Sequence, residues 1–127
     1  MTSSTAQPLV SVVDDDESVR ESLPDLLREL GYCADAFSSA EEFLDSDPIG
    51  RTKCLILDMS MPGMTGPELQ RELSRRDANI PTIFITAHAY DGVRPVLLAQ
   101  GAVECLFKPF SETALLDALR AALGTPT

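Results

Sequence analysis

Four places in this chain put a polar, chemically capable side chain directly after an apolar run. Asp14 and Asp15 follow Leu9–Val13, Asp58 follows Cys54–Leu57, Thr86 follows the stretch Ile80–Ile85, and Lys108 follows Val103–Phe107. Each alone has an ordinary explanation: an acid favouring a helix start, a residue ending a strand, a loop hydroxyl, a surface charge. Together they describe one site if the four runs are parallel strands of one sheet, because the carboxyl ends of such strands share an edge. Three close carboxylates repel one another and call for a hard divalent cation with oxygen ligands. Magnesium suits two or three carboxylates, a backbone carbonyl and waters, with positions left open for phosphate oxygens. Lys108 would supply a fixed positive charge for the same phosphoryl group, and the Thr86 hydroxyl a hydrogen bond to one of its oxygens. Asp58 would then be the nucleophile, taking the phosphoryl group as an aspartyl phosphate. Phosphoryl transfer asks mainly for positioning and charge neutralisation, and this set offers both.

The elements that must position these groups are written in the pattern. Leu9–Val13 reads as the first strand. Ser18-x-x-Glu21 has the form of a capping box, which starts a helix at Ser18, and Leu23, Leu26, Leu27 and Leu30 carry it to Gly31. Pro24, beyond the first turn, predicts a kink or a later helix start. Tyr32–Phe37 reads as the second strand and Ser39–Ser46 as a short helix bearing Phe43 and Leu44. Cys54–Leu57 is too short for a helix and reads as a strand buried on both faces; the stiff loop Met61–Gly66 leaves Asp58 exposed at its mouth. A helix follows over Gly66–Arg76, with Pro67 in its first turn and Leu69 and Leu73 facing inward. Ile80–Thr86 is the fourth strand, and Tyr90–Arg94 a polar loop around Gly92. Pro95 opens a short helix that Gly101 ends. Val103–Phe107 is the fifth strand, and Ser111 caps a last amphipathic helix through Leu115, Leu116, Leu119 and Leu123. Strand and helix alternate five times, the pattern of a doubly wound α/β sheet with helices on both faces.

The 127 residues are read as a single domain over 1–127, with an ordered core of about 9–123. That length buries roughly two-thirds of the unfolded surface. A hydrophobic fraction of 44% and a charged fraction of 24% are those of a soluble globule. The net charge of −10 argues against direct binding of nucleic acid, whose phosphates are met by basic surfaces. No apolar run approaches the roughly 20 residues that cross a bilayer. Residues 1–8 have neither the basic region nor the apolar core of a signal peptide, so the chain is read as cytoplasmic. Cys33, Cys54 and Cys105 lie within or beside apolar runs without metal-ligand spacing, and read as buried free thiols in a reducing compartment. Residues 124–127 read equally as a natural end or as the first residues of a linker.

The chain resembles the receiver domain of bacterial two-component response regulators. The resemblance rests on Val12-Val13-Asp14-Asp15, Leu57-Asp58-Met59-Ser60-Met61-Pro62-Gly63-Met64-Thr65-Gly66, Thr86-Ala87 and Lys108-Pro109-Phe110, and spans Leu9 to Leu123. Val13–Arg20 and Gly101–Phe110 are most similar to regulators of the nitrogen-fixation type, which carry a helix-turn-helix output domain; none is present in this chain. The resemblance implies a flavodoxin-like five-stranded parallel sheet of order 2-1-3-4-5 with five helices. It implies Asp58 as phosphoacceptor from a sensor histidine kinase or phosphotransfer protein in a phosphorelay. It further implies direct magnesium contacts from Asp15 and Asp58, a mostly water-mediated one from Asp14, and a ligand from the Ser60 backbone carbonyl. Thr86 and Lys108 would bind the phosphoryl group, small Ala87 would leave room for it, and the Lys108–Pro109 bond would be cis. The domain would be a switch that assists its own phosphorylation and slow dephosphorylation rather than an enzyme. Its partners would be the kinase, an output domain or effector protein, and a phosphorylation-dependent second copy.

Two positions depart from that pattern. The family places an aromatic three residues before the lysine, where this chain has Cys105; a small buried thiol there is favoured over a redox group. His88, the single histidine, stands beside the site and is read, with Ser60, as tuning the rate. A magnesium-dependent phosphatase with an aspartyl nucleophile is a rival, but its second carboxylate would fall at Ser60. A receiver that works without phosphorylation is another, but this chain keeps every acid and the lysine. With no ring at Cys105, the switch is expected to work through Thr86, Cys105 and Phe107. Strand alternation puts Cys105 and Phe107 on the face nearest the helix after Pro95, with Val96, Leu97 and Leu98 opposite and the loop Tyr90–Arg94 as the joint.

Overall fold

The structure, a computed structural model, describes residues 7–46, 50–87 and 92–124. Among these residues, strands and helices alternate in the order β1 (Leu9–Val13), α1 (Glu17–Glu29), β2 (Cys33–Phe37), α2 (Ala40–Leu44), β3 (Thr52–Asp58), α3 (Gly66–Arg75), β4 (Thr82–Thr86), α4 (Val93–Ala99), β5 (Glu104–Phe107) and α5 (Glu112–Leu123). The strands form one parallel sheet of order β2-β1-β3-β4-β5, as the resemblance implies. The Lys108–Pro109 peptide is cis.

Alternation along the strands sorts the core into two layers. Val10, Val12, Cys54, Ile56, Ile83, Ile85 and Leu106 face Leu23 and Leu27 of α1 and Leu115, Ala118 and Leu119 of α5. Val13, Leu55, Leu57, Phe84 and Cys105 face Ala40 and Phe43 of α2, Leu69 and Leu73 of α3, and Leu97 of α4. Every residue of β4 is buried, which is why that strand reads as a continuous run of β-branched and aromatic residues.

Local chemistry moves several boundaries from their predicted places. Asp16, not Ser18, caps α1: its carboxylate accepts from the Ser18 N–H and hydroxyl, so Ser18 lies inside the first turn. The helix runs on through Pro24, which is buried beside Leu23 and Leu27, so the start is earlier than predicted rather than later. β2 begins at Cys33, because Tyr32 belongs to the helix terminus: Gly31, at φ +101°, donates to Arg28 O and Tyr32 to Leu27 O. β4 and β5 each start after the apolar residues that lead into them. α4 opens at Val93, so Arg94 is helical rather than part of a loop; Gly92 takes the left-handed N-cap position at φ +87°. Tyr90 and Asp91 of the expected joint lie outside the described residues. Cys33 is exposed, not buried, because it opens an edge strand, whereas Cys54 and Cys105 are buried as expected.

The β3–α3 loop returns tightly onto the strand it left. The Gly66 N–H donates to Met59 O at 3.2 Å. A Cβ at Gly66 would stand 2.4 Å from the Asp58 carbonyl oxygen and 3.1 Å from Cε1 of Phe84. Only glycine permits this approach, and the loop cannot move away without giving up the start of α3. Thr65 caps that helix in a reciprocal capping box with Glu68. Gly66→Ala is expected to destabilise the fold by about 1–3 kcal/mol, the range for overpacking a filled site. Thermal unfolding checks this, and an unchanged Tm would show that the loop is free to lift off β3.

Candidate functional site

Asp14 follows β1 and continues the side of Val10 and Val12. Asp58 ends β3 on the side of Cys54 and Ile56, and Lys108 follows β5 on the side of Leu106. Strand parity therefore brings all three to the α1/α5 face at the carboxyl edge. Asp14, Asp15 and Asp58 can each offer an oxygen with the three atoms within 4.8 Å of one another. Lys108 Nζ lies 2.8 Å from Asp14 Oδ2 and 3.9 Å from Asp58 Oδ1. Burial is uneven. Asp14 is 0% and Asp58 5% exposed, while Asp15 is open to solvent. The expectation that Asp58 sits exposed at the loop mouth is corrected: Asp58 is buried at the end of β3, with Asp14 and Lys108 beside its carboxylate.

Asp14 is held at every polar atom. Its N–H donates to Phe37 O, Oδ1 accepts from the Asp16 N–H, Oδ2 from Lys108, and its backbone oxygen from Arg20 Nη1. The Lys108 backbone is fixed in turn by its N–H bond to Thr86 O at 2.8 Å. Thr86, 3% exposed, ends β4 and pairs in register with Phe107, while Phe84 pairs with Cys105. Its side chain follows the parity of Phe84 toward the α3/α4 face, so Thr86 and Phe107 are direct neighbours there. Ala87 is exposed just beyond. Ser60 is exposed, and its N–H faces Asp58 Oδ1 at 3.5 Å. His88 lies outside the described residues.

The electrostatics show an unmet need for positive charge. Burial, reinforced by the Asp14 charge and only partly opposed by Lys108, pushes the Asp58 carboxyl up to about 7. Burial works against the Lys108 ammonium, yet the hydrogen bond and charge of Asp14, with Asp58, raise its affinity for the proton overall. One lysine facing three carboxylates leaves the cluster short of cationic charge, and its donors are all hard oxygens. The residues present fit a magnesium-sized divalent ion. The thiols play no such part. Burial pushes Cys54 up to about 12 and also raises Cys105, so both stay protonated and inert, as a packing role requires.

Several contributors were not legible in the residues. Arg20 meets the site through a backbone oxygen, and no local pattern announces such a contact. Glu41 of α2 reaches across to accept from the Met64 N–H at 3.2 Å and braces the loop after Asp58. Arg94 of α4 forks onto Glu104 of β5 at 2.6 and 2.9 Å, and Glu104 also accepts from the Cys105 N–H. The Arg94–Glu104 spacing becomes meaningful only once α4 lies over β5.

A doubly wound five-stranded sheet carrying an acidic trio and a lysine at its carboxyl edge is the architecture of phosphoryl-accepting signalling domains. Residues 10–120 match the family model of the response regulator receiver domain, and the chain belongs to that family. It is 43% identical over 121 residues to nodulation protein W of Bradyrhizobium diazoefficiens, covering 95% of this chain and 53% of that protein. It is 40% identical over 116 residues to the transcriptional regulatory protein FixJ of Azorhizobium caulinodans, covering 91% and 54%. The chain thus spans about half the length of the curated relatives that it matches. Among solved structures, response regulator StyR superposes with a TM-score of 0.84 at 47% identity, over 93% of this chain and 60% of that one. A response regulator receiver protein from Burkholderia phymatum gives 0.82 at 44%, over 95% and 98%. The chain is a response-regulator receiver domain of two-component signalling, as its motifs led one to expect. No helix among the described residues is long and apolar enough to cross a membrane.

The raised Asp58 makes a pH prediction for the metal-free protein. Its folded-state value lies above the ordinary 3.8, so between the two values the folded chain binds more protons than the unfolded chain. Its contribution to stability is complete at low pH and is lost as pH rises through about 7. Asp58→Asn removes that loss. In chelator, the variant is expected to melt above the wild type at pH 8, with the gap narrowing toward pH 5.5. A gap independent of pH would refute the raised carboxyl.

Proposed function

We propose that this domain is a phosphorylation-controlled switch in which Asp58 accepts a phosphoryl group from the phosphohistidine of a sensor histidine kinase or phosphotransfer protein. The observation that carries the reading is the convergence of Asp14, Asp15 and Asp58 within 4.8 Å, with Lys108 standing 3.9 Å from Asp58. Asp15 and Asp58 would hold magnesium directly, Asp14 mostly through water, and the Ser60 carbonyl would complete the protein ligands. The bound ion supplies charge that offsets the carboxylates and the phosphoryl oxygens. An Asp58 carboxylate oxygen attacks phosphorus, and the P–N bond breaks with its electron pair left on the imidazole. The attacking form is the ionised carboxylate, which a bound cation would favour over the protonated one, so no general base is needed. Lys108 faces the developing charge, the Thr86 hydroxyl binds a phosphoryl oxygen, and Ala87 leaves space. Ser60, two residues after Asp58, and His88, two residues after Thr86 in the sequence, tune hydrolysis. The domain itself turns nothing over beyond its own phosphorylation and dephosphorylation, and it acts in the cytoplasm on an attached output domain, an effector protein or a second copy.

Acetyl phosphate with magnesium tests this reading. The wild type is expected to gain one phosphoryl mass that chelator prevents, and Asp58→Asn none; label at another residue in that variant would overturn the assignment. Sustained release of phosphate with no adduct would favour the phosphatase reading instead.

The signal would leave by the α4 face. Phosphoryl capture draws Thr86, and its register partner Phe107 feels the move. Phe107 shares its layer with Cys105 and with Leu97, a buried residue of α4. Val96, expected among the packed groups, is instead 55% exposed, so it belongs to the outer surface that a partner would meet. The Arg94–Glu104 fork ties α4 to β5 in the resting state. Beryllofluoride is expected to raise amide exchange over 93–107, and Glu104→Gln to raise it there without the mimic. Unchanged protection in both would exclude this route.

A further inference from the structure

We propose that Arg20 is a positioning residue for the cation site, acting through the peptide that joins Asp14 to Asp15. The inference rests on the reading that the acidic trio binds magnesium, and it concerns how the chain aims the trio. Arg20 lies in the second turn of α1, and its Nη1 donates to the Asp14 backbone oxygen at 3.0 Å. Three further bonds hold Asp14: its N–H to Phe37 O at 3.1 Å, Oδ1 from the Asp16 N–H at 2.9 Å, and Oδ2 from Lys108 at 2.8 Å. Two of these grip the side chain, and the Phe37 bond extends the sheet ladder. Among the described residues the Arg20 bond alone grips the carbonyl, so it sets how the next peptide is rotated. Asp15 is exposed, and what aims its carboxylate at Asp14 and Asp58 is the backbone it follows.

The contact is also economical electrostatically. A guanidinium is a donor in a rigid fork, and here its Nη1 hydrogen bond goes to a neutral carbonyl rather than to a carboxylate oxygen that a cation would need. Had Arg20 paired with the carboxylates, it would compete with the ion. Groups that orient ligands in this way commonly govern metal affinity by roughly 10–100-fold.

Because Arg20 is partly exposed, its removal opens no core cavity and the domain is expected to fold. Calorimetric titration with magnesium is run on wild type, Arg20→Met and Arg20→Lys, alongside thermal unfolding in chelator. Positioning predicts roughly tenfold weaker magnesium binding in Arg20→Met, with much of the loss restored in Arg20→Lys, which keeps the charge and a donor. Loss of a nearby positive charge by itself would tighten cation binding, so unchanged or tighter binding in Arg20→Met overturns the proposal. A fall in metal-free stability with wild-type magnesium affinity would likewise reduce Arg20 to a structural tie and overturn it. Failure of the wild type to bind magnesium would instead sink the reading of the site, which the variants alone would not.

Discussion

The organising constraint of this molecule is repulsion. Three carboxylates are held with oxygens within 4.8 Å of one another, and two of them are nearly excluded from water. Bulk solvent would keep such charges apart or well screened, and burial removes that relief. The chain answers with one lysine, a set of backbone donors and a sheet too well packed to splay. The arrangement leaves the resting domain in electrostatic deficit, and that deficit is the physical basis of the proposed binding of a cation and, through it, of a phosphoryl group.

Keeping the carboxylates together falls to elements far apart in sequence. β1 and β3 are adjacent in the sheet, so register brings Asp14 and Asp58 side by side. Lys108 arrives from β5, two strands away from β3, and is anchored by its N–H to the end of β4. The loop after Asp58 is clamped from two directions, by Glu41 on Met64 and by the close passage of Gly66 over the Asp58 carbonyl. Rigid support around a charged pocket is what allows a small covalent change to matter, because a packed core moves between discrete arrangements rather than deforming smoothly.

The two layers of the core divide the labour. The α1/α5 layer carries the parity of Asp14, Asp58 and Lys108 and frames the chemistry. The α3/α4 layer carries the parity of Thr86, Cys105 and Phe107 and faces the surface where a signal can leave. Thr86 links the two, since its backbone oxygen holds the Lys108 N–H while its strand parity is that of the second layer. Replacing the aromatic three residues before the lysine with Cys105 leaves that layer with less bulk at its centre. Phe107, directly paired with Thr86, is the ring nearest to hand.

Residue types and order alone determined the fold class, the strand sequence and the identity of the chemical groups. Apolar runs ending in Asp14, Asp58, Thr86 and Lys108 are local facts, and parallel α/β topology turns strand ends into neighbours without further information. A helix limit set by a single cap could also be read, as at Ser111, where the donor and acceptor lie three residues apart. What only the tertiary structure decided are the contacts whose partners share no local pattern. Asp16 displaced Ser18 as the cap of α1 because its carboxylate accepts from both the N–H and the hydroxyl of Ser18, which leaves Ser18 inside the first turn. The burial of Asp58 depends on neighbours brought by other strands, Asp14 from β1 and Lys108 from β5, and the exposure of Cys33 on its strand lying at the sheet edge. Arg20 on the Asp14 carbonyl and Arg94 on Glu104 could not be read from spacing, because hydrogen bonds to a distant backbone oxygen or across packed elements exist only once the helices are laid on the sheet.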